Sequence, residues 1–462
     1  MPKDGKLIRD LTTGSVPKTL LRFSTPLFLS GLLQMVYNMV DMIVVGKFVG
    51  TEGLSAVAIG GEVLQLITFV AMGFSNAGQI LISRYVGEDE KDKVGEMVGT
   101  LFTLLGALAV VITGVFLFSY QGILGWLNTP EDIWEFTRQY SVTCVWGTFF
   151  IYGYNLVSAI LRGMGDSRHP FQIIAIASVI NIVLDILFVG PLGLGPFGAA
   201  LATVIGQAFS FLFALRLLYR GREQIRFAFR PADFRLGRET TRPLIFLGIP
   251  MVIQSAAVTF SMLFVNSYVN SYGTVAVAVT GVARKLESMI GVVSQAISSA
   301  GGAMVSQALG ARKLERVPKI VFTALWVVAI PASLFAVVTV FHPEWLFGLF
   351  SDDEAVLEMA LIYVPVALVQ YLGATLRPAN FALINGSGNS WLNLAVALLD
   401  GLAARIGLAL LLGIELGLGI VGFWYGNALA GLVPFLIGGT YLISGLWKKR
   451  AGRGRGTTAA KP

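Results

Sequence analysis

Residues 17–47 read PKTLLRFSTPLFLSGLLQMVYNMVDMIVVGK, a mostly apolar run of 31 residues. A helix rises about 1.5 Å per residue, so about 20 apolar residues are enough to cross the hydrocarbon core of a bilayer. Similar runs recur along the whole chain, in which 55% of residues are hydrophobic and only 13% are charged. Soluble domains carry about 25% charged residues. The continuous runs therefore predict an all-α polytopic membrane protein, because barrel strands would alternate in polarity.

The apolar runs predict twelve transmembrane helices. Their expected ranges are 17–47, 53–83, 95–119, 133–160, 170–190, 198–219, 243–270, 276–308, 318–341, 356–384, 391–414 and 419–446. When basic residues near the ends of a span are counted with the adjoining loop, 28 of the 34 Lys and Arg residues fall on one side of the membrane, two fall on the other side and four lie deeper within spans. Because basic loops stay in the cytoplasm, both termini are expected to be cytoplasmic, in a bacterial-type cell membrane.

An internal repeat divides the chain into two similar halves. Gly163-Met164-Gly165-Asp166-Ser167 matches Gly386-Ser387-Gly388-Asn389-Ser390 at a spacing of about 223 residues. Six spans per half give both halves the same orientation, a parallel repeat with the substrate site expected between the halves. We therefore predict two pseudo-symmetric six-helix lobes, connected and flanked by polar segments. The predicted parts are a tail at 1–16, the lobes 17–219 and 243–446, a linker at 220–242 and a basic tail at 447–462.

Polar side chains inside the predicted spans point to a small-cation site in the first lobe. Asp41, Asn181, Asp185 and Thr203 lie on helix faces that carry further polar residues. Carboxylate, amide and hydroxyl oxygens hold a proton or Na⁺, and intramembrane acids are functional by default. The alternative is that the acids cap backbone groups or pair with a buried Arg. Other polar residues of this region are expected to line the substrate cavity, namely Gln34, Tyr37, Asn38, Asn155 and Gln207.

The second lobe lacks the same acids. At the repeat spacing, Asp41 corresponds to Val265, Asn181 to Arg405 and Asp185 to Ala409. Secondary site candidates are Arg284 and Glu287, which form either a functional group or an internal pair on one helix face. Asp400 is expected to pair with Arg405 or Arg377.

Several other classes of function are excluded by what the sequence contains. No phosphate-binding loop of the Gly-x-x-x-x-Gly-Lys-Ser/Thr type is present, and one cysteine and two histidines supply no zinc or haem ligand set. Neither a cofactor nor an enzymatic site is expected. The basic residues follow membrane topology, so no nucleic-acid partner is expected either. The expected partners are small molecules, H⁺ or Na⁺ and membrane lipid, and the chain is expected to act as a monomer.

Two motifs resemble a known transporter family. Tyr37-Asn38-Met39-Val40-Asp41, continuing through Val45-Gly46-Lys47-Phe48-Val49-Gly50, resembles the first-helix signature of MATE transporters, the multidrug and toxic compound extrusion family. Leu161-Arg162 with Gly163–Ser167 resembles the loop that follows the fourth helix in that family. The resemblance covers roughly residues 10–446. It implies antiport, in which a cation enters while an amphipathic and often cationic compound leaves.

Within that family, the chain resembles the DNA-damage-inducible-F-like branch. The resemblance implies a cation site formed by Asp41, Asn181, Asp185 and Thr203, and a bend in the first helix at Pro26 that is linked to protonation. The NorM-like branch relies on acids of the second lobe, and this chain has no acid deep in its seventh helix.

Two rival functions remain at this stage. A lipid-linked saccharide flippase of the same superfamily would have an Arg-rich cavity, and the intramembrane Arg284, Arg377 and Arg405 keep that alternative open. A passive channel would need a repeated filter or a pore ring, and the sequence shows neither.

The topology yields a first prediction. A single cysteine at position 230, in a chain whose Cys144 is replaced by Ser, should be labelled by an impermeant maleimide only after the cells are opened, because position 230 lies in a basic segment. A cysteine at position 450 should behave in the same way. Labelling of either position from outside intact cells would contradict the predicted orientation.

Overall fold

The computed structural model describes residues 7–451, and the described residues form helices joined by short loops. Within these residues, eleven helices are long and apolar enough to cross a membrane, and a bent pair makes a twelfth if it is counted as one span. The predicted all-α fold with twelve spans is therefore confirmed. The helices of the first half are α1 (Val16–Phe48), α2 (Thr51–Gly87), α3 (Lys91–Trp126), the bent α4 (Glu131–Trp146 and Thr148–Gly163), α5 (Arg168–Val189) and α6 (Gly195–Arg220).

The second half repeats this order of elements. Its helices are α7 (Arg238–Asn270), α8 (Thr274–Gly310), α9 (Arg316–Phe341), α10 (Glu354–Gly386), α11 (Ser390–Glu415) and α12 (Gly419–Ser444). A short helix, Pro343–Gly348, lies between α9 and α10. Two segments of α11 are π-helical, Leu399–Ala404 and Leu411–Glu415.

The described residues form two compact units, and two of the three boundaries between these units lie inside helices. The first unit contains Leu29–Gly248 and the residues up to Arg9, and the second contains Asp10–Phe28 and the chain from Ile249 onward. The start of α1 therefore belongs to the second unit, and the start of α7 belongs to the first. Each half of the sequence contributes the beginning of its first helix to the other compact unit.

The α4 bend arises at a glycine that allows close helix packing. The two parts of α4 meet at Gly147 with an angle of 49° between them. A Cβ atom on Gly147 would lie 2.5 Å from Cγ2 of Val204, so only glycine permits this approach of α4 to α6.

The two repeated glycine loops cap the helices that follow them. Asp166 is fully buried, and its carboxylate accepts a hydrogen bond of 3.0 Å from the backbone N–H of Arg168 at the start of α5. Asn389 accepts one from the backbone N–H of Leu392 at the start of α11. Side-chain acceptors at these positions satisfy helix N–H groups that have no partner within the helix.

The segment that joins α6 to α7 packs on α3 within the first unit. Phe102 of α3 lies edge-on to Phe234 and parallel to Phe227, with ring centroids 5.9 Å and 6.2 Å apart. The hydroxyl group of the buried Thr100 donates a hydrogen bond of 3.3 Å to the carbonyl of Arg235 in this segment. Aromatic pairs and a hydrogen bond therefore fix this segment to α3.

A small-x-x-x-small motif brings α12 against α11 in the second unit. Gly422 and Gly426 lie four residues apart, on one face of α12. If a Cβ atom were added to Gly422, it would lie 2.4 Å from the carbonyl carbon of Leu412. A Cβ atom added to Gly426 would lie 2.4 Å from Cα of Ala409. Such close backbone approach is a common basis of helix association in membranes, where dispersion contacts replace the hydrophobic effect.

This packing predicts that a glycine-to-alanine substitution has different effects on stability at two positions. Gly426→Ala should lower the stability of the protein in detergent by about 1–3 kcal/mol, because the added methyl group clashes with the α11 backbone. Gly407→Ala is the matched control, since Gly407 is exposed on α11 and a Cβ there meets no atom within 4 Å. It should be neutral or slightly stabilising through helix propensity. The stability of both variants is measured by thermal unfolding in detergent. Equal unfolding temperatures of Gly426→Ala and Gly407→Ala would contradict the packing argument.

Candidate functional site

Three buried polar residues of the first unit lie on α1 and α5. Asp41 of α1 is 7% exposed, and Asn181 and Asp185 of α5 are 4% and 0% exposed. Asn181 and Asp185 are one helical turn apart, so the α-helical period alone places them on one face. The two carboxylates are close enough to interact electrostatically, and Tyr37 and Tyr140 interact with both.

Asn181 opens into a small cavity between α1, α5 and α6. The cavity has a volume of about 10 Å³, on the order of what one water molecule requires. Its lining includes Tyr37, Asn181, Thr203 and Gln207. Gly206 of α6 makes this approach possible, because a Cβ there would lie 3.4 Å from Cβ of Asn181. Helices α1, α5 and α6 therefore each contribute side chains to the lining of this cavity.

Most polar atoms of this group have no hydrogen-bond partner among the described residues. Within residues 7–451, no protein group hydrogen-bonds to Asp41 Oδ1, to either carboxylate oxygen of Asp185 or to either polar atom of the Asn181 amide. Buried polar groups are normally paired, and each exception calls for an explanation. Neither carboxylate forms an ion pair with a basic residue of the described chain, so the alternative of pairing with a buried Arg has no support.

An apolar cluster lies next to the carboxylates, at the C-terminal end of α1. It contains Val44, Val45, Val57, Tyr140 and Cys144, all buried. Hydrocarbon packing on this side lowers the local dielectric, and that strengthens every electrostatic interaction of the two acids. Cys144 is a buried free thiol within this cluster.

The other predicted cavity residues lie elsewhere. Gln34 and Asn38 of α1 are exposed, and neither lines the cavity around Asn181. Asn155 of α4 is half-buried, and its amide donates a hydrogen bond of 2.9 Å to the carbonyl of Ile151 in its own helix. Tyr140 was not among the predicted residues. The sequence signal for Tyr140 is a row of residues with polar or thiol groups at helical spacing in α4, and all of its members are buried: Thr137, Tyr140, Ser141 and Cys144.

The oxygen atoms of this group fit H⁺ or Na⁺ better than a transition metal. Among residues 7–451, no cluster of three or more His, Cys, Asp or Glu side chains is arranged to hold a metal ion. Two carboxylates, an amide oxygen and a hydroxyl group are hard donors, the kind that alkali and alkaline-earth cations prefer.

The second unit contains a different charged group. The Asp400 carboxylate, 1% exposed, lies 3.1 Å from the Arg405 guanidinium and 3.3 Å from that of Arg377. The expected pairing of Asp400 is therefore confirmed with both partners at once. Arg405 also donates a hydrogen bond to the side chain of Asn427. Asp400 lies in the first π-helical segment of α11, and such segments are frequent at functional sites.

Glu287 and Arg284 are not an internal pair. Glu287 accepts a hydrogen bond of 3.0 Å from the amide of Gln370, and the Gln370 carbonyl oxygen accepts one of 2.6 Å from the Tyr363 hydroxyl. No ion pair joins Glu287 to Arg284 in the described part of the chain. Arg284 lines a separate cavity together with Tyr363 and Asn427.

Positions equivalent to the two acids are apolar in the second unit. Val265 and Ala409, at 4% and 0% exposure, belong to one hydrophobic cluster. Asn181 corresponds to Arg405 and Thr203 to Asn427, and these two are hydrogen-bonded to each other. The second unit thus has a guanidinium group where the first has a neutral amide.

Comparison with known proteins gives consistent results. The sequence matches the family profile described as MatE over residues 26–187 and 250–400. It is 30% identical over 312 residues to the "Probable multidrug resistance protein YpnP" of Bacillus subtilis, covering 67% of this chain and 68% of that protein. It is 27% identical to the "Probable multidrug resistance protein YoeA" of the same organism, covering 94% and 95%.

A solved structure shares the fold over nearly the whole length. It is described as the outward-facing conformation of a multidrug resistance MATE family transporter, and it superposes with a TM-score of 0.87 at 23% identity. The superposition covers 98% of this chain and 99% of that one. The profile match over both halves of the sequence, with the 30% identity to a relative over two thirds of the chain, shows that this protein belongs to the MatE family of membrane transporters.

Proposed function

We propose that this protein is a secondary active multidrug efflux transporter, in which H⁺ or Na⁺ entry drives the export of amphipathic, often cationic, organic compounds. Its family consists of transporters rather than enzymes, and the relatives named above are described as multidrug resistance proteins. Export by alternating access of two lobes suits a parallel six-plus-six repeat.

The observation that carries the proposal is the pair of unpartnered carboxylates, Asp41 and Asp185. A charged acid at the centre of a bilayer costs about 2.5–3.5 kcal/mol on insertion scales. The packing of the fold does not require acids here, because the equivalent positions of the second unit are occupied by Val265 and Ala409. A proton or Na⁺ on the pair removes the like-charge repulsion and satisfies the unpartnered oxygens.

Asn181 and Thr203 complete the proposed cation site. Asn181 contributes an amide oxygen without a partner in the described chain, and Thr203 lines the same cavity. The donor set suits both ions, so H⁺ and Na⁺ remain alternatives. Gln34, Tyr37, Asn38, Asn155 and Gln207 are proposed for the substrate cavity.

Coupling runs through α1 in this proposal. Asp41 and Pro26 lie on the same helix, and Pro26 has no N–H to donate to the Arg22 carbonyl. A proline inside a helix is a natural bend point. Cation binding at Asp41 therefore biases the bend of α1 at Pro26, as in the DNA-damage-inducible-F-like branch, to which we assign the chain.

The flippase alternative is not favoured. The relatives are described as multidrug resistance proteins. Two of the three arginines that kept this alternative open, Arg377 and Arg405, share the Asp400 carboxylate. We assign Arg284 and Glu287 a secondary role and place the protein, as a monomer, in the cell membrane with both termini cytoplasmic.

The function is tested in proteoliposomes loaded with a fluorescent cationic dye, under proton and sodium gradients imposed separately. Dye movement against its own gradient is expected under at least one of the two. The gradient that drives it identifies the coupling ion. No movement under either gradient, in protein that binds the dye, would contradict cation-coupled export.

The site is tested by Asp41→Asn and Asp185→Asn. Each change removes a charge and nearly preserves shape, so the protein should still fold while gradient-driven export falls to background. Gln254→Ala, in the second unit, is the control and should retain ion coupling even if drug affinity falls. If both Asp variants concentrate dye at the parental rate, the proposed site is wrong and Glu287 becomes the next residue to test.

A further inference from the structure

A groove in the second unit lies between the start of α1 and one face of α9. It has a volume of about 690 Å³. The chain at Ser15–Pro17 forms one wall, and the other wall is a stripe on α9 with charged residues in its first turns and apolar residues beyond them. Phe322, Trp326 and Ile330 repeat every four residues along this stripe and are 56%, 68% and 72% exposed.

The end of this groove at the N-termini of α1 and α9, which we call its head, is positively charged. Arg316 and Lys319 line it, and neither forms an ion pair within residues 7–451. Glu315 also lines the groove, so the three side chains carry one net positive charge. The N-terminal ends of α1 and α9 both lie at this head and add the partial positive charge of two helix dipoles.

Arg316 is held in a fixed position. Its guanidinium donates a hydrogen bond of 2.9 Å to the carbonyl of Gly14 and a longer one to the carbonyl of Thr13. These neutral acceptors leave its charge uncompensated. Lys319 is exposed, and its side chain has no hydrogen-bond partner in the described chain.

The internal repeat shows that the equivalent face of the first unit is covered by protein. Gly95 and Gly99 of α3 correspond to Pro318 and Phe322 of α9. A Cβ on Gly99 would lie 2.0 Å from the carbonyl oxygen of Asp233, because the segment between α6 and α7 packs directly on this face. In the second unit the same face carries bulky aromatic residues, and Lys319 replaces the equivalent Glu96.

We propose that this groove is a specific site for an anionic phospholipid of the cytoplasmic leaflet. The lipid phosphate lies against Arg316, Lys319 and the two helix ends, and one acyl chain follows Phe322, Trp326 and Ile330. Basic pockets beside membrane helices on the cytoplasmic side are suited to acidic headgroups. Trp326 lies ten residues into α9, or about 15 Å along the helix, so the aromatic stripe extends well into acyl-chain depth.

Charge complementarity favours a lipid over the chain's own C-terminal residues. Residues 452–462 contain Arg453, Arg455 and Lys461 and no acid. That sequence would bring three further positive charges to a groove that already has a positive head.

Native mass spectrometry of the purified protein in a neutral detergent tests the site. The protein is titrated with phosphatidylglycerol and with phosphatidylcholine of identical acyl chains. We expect the first phosphatidylglycerol to bind at least fivefold more tightly than phosphatidylcholine. Lys319→Gln should reduce that preference about fivefold, which corresponds to about 1 kcal/mol for one basic residue. Trp326→Ala should weaken both lipids alike, since it removes acyl contacts only.

Lys91→Gln is the matched control, because Lys91 is likewise an exposed lysine in the first turn of a membrane helix. It should leave the lipid preference unchanged, and all variants should keep the parental unfolding temperature in lipid-free detergent. Equal affinity of the parental protein for the two lipids would overturn the proposal. Equal losses in Lys319→Gln and Lys91→Gln would do so as well. Tighter phosphatidylglycerol binding by a chain that ends at residue 451 would assign the groove to the C-terminal segment instead.

Discussion

Hydrocarbon offers no hydrogen-bond partner, and the rest of this structure depends on that constraint. Each backbone N–H and C=O inside the bilayer has to be satisfied within the protein, so the described chain folds as helices. The same constraint makes every buried polar side chain costly. Asp400 meets that cost with two guanidinium partners, whereas Asp41 and Asp185 have no basic partner in the described chain. A structural acid and a candidate functional acid thus differ in how their charge is compensated.

Much of the fold could be predicted because hydropathy along the sequence directly indicates which segments cross the membrane. Each of the twelve expected apolar ranges overlaps a helix or, for α4, a bent pair. The bend at Gly147 could not be read from apolar runs, since it depends on contact with Val204 of another helix. The π-helical segments of α11 and the exchange of helix starts between the compact units likewise result from tertiary packing.

The candidate site was predictable to the extent that it follows helical periodicity. Asn181 and Asp185 share a face because they are four residues apart. Polar side chains are costly inside a membrane span, so the two residues can be recognised as functional candidates from one sequence alone. Which other helices face them depends on contacts between distant residues. Gly206 leaves room for Asn181, and Tyr140 of α4 lies within electrostatic range of both acids. Gln34 and Asn38 share a predicted face with Asp41, but the structure leaves them exposed.

Arg405 introduces a difference in charge between the two halves of the repeat. An ion bound by carboxylates can leave, but a guanidinium attached to the chain cannot, and it stays protonated at any physiological pH. At the position equivalent to Asn181, the second unit therefore holds a positive charge that is indifferent to the ion concentration on either side of the membrane. The two halves of the chain have similar scaffolds, but the charges inside them differ. In the proposed mechanism, a mobile ion changes the charge of the acids in one half, whereas the other half carries a positive charge that its own sequence supplies permanently.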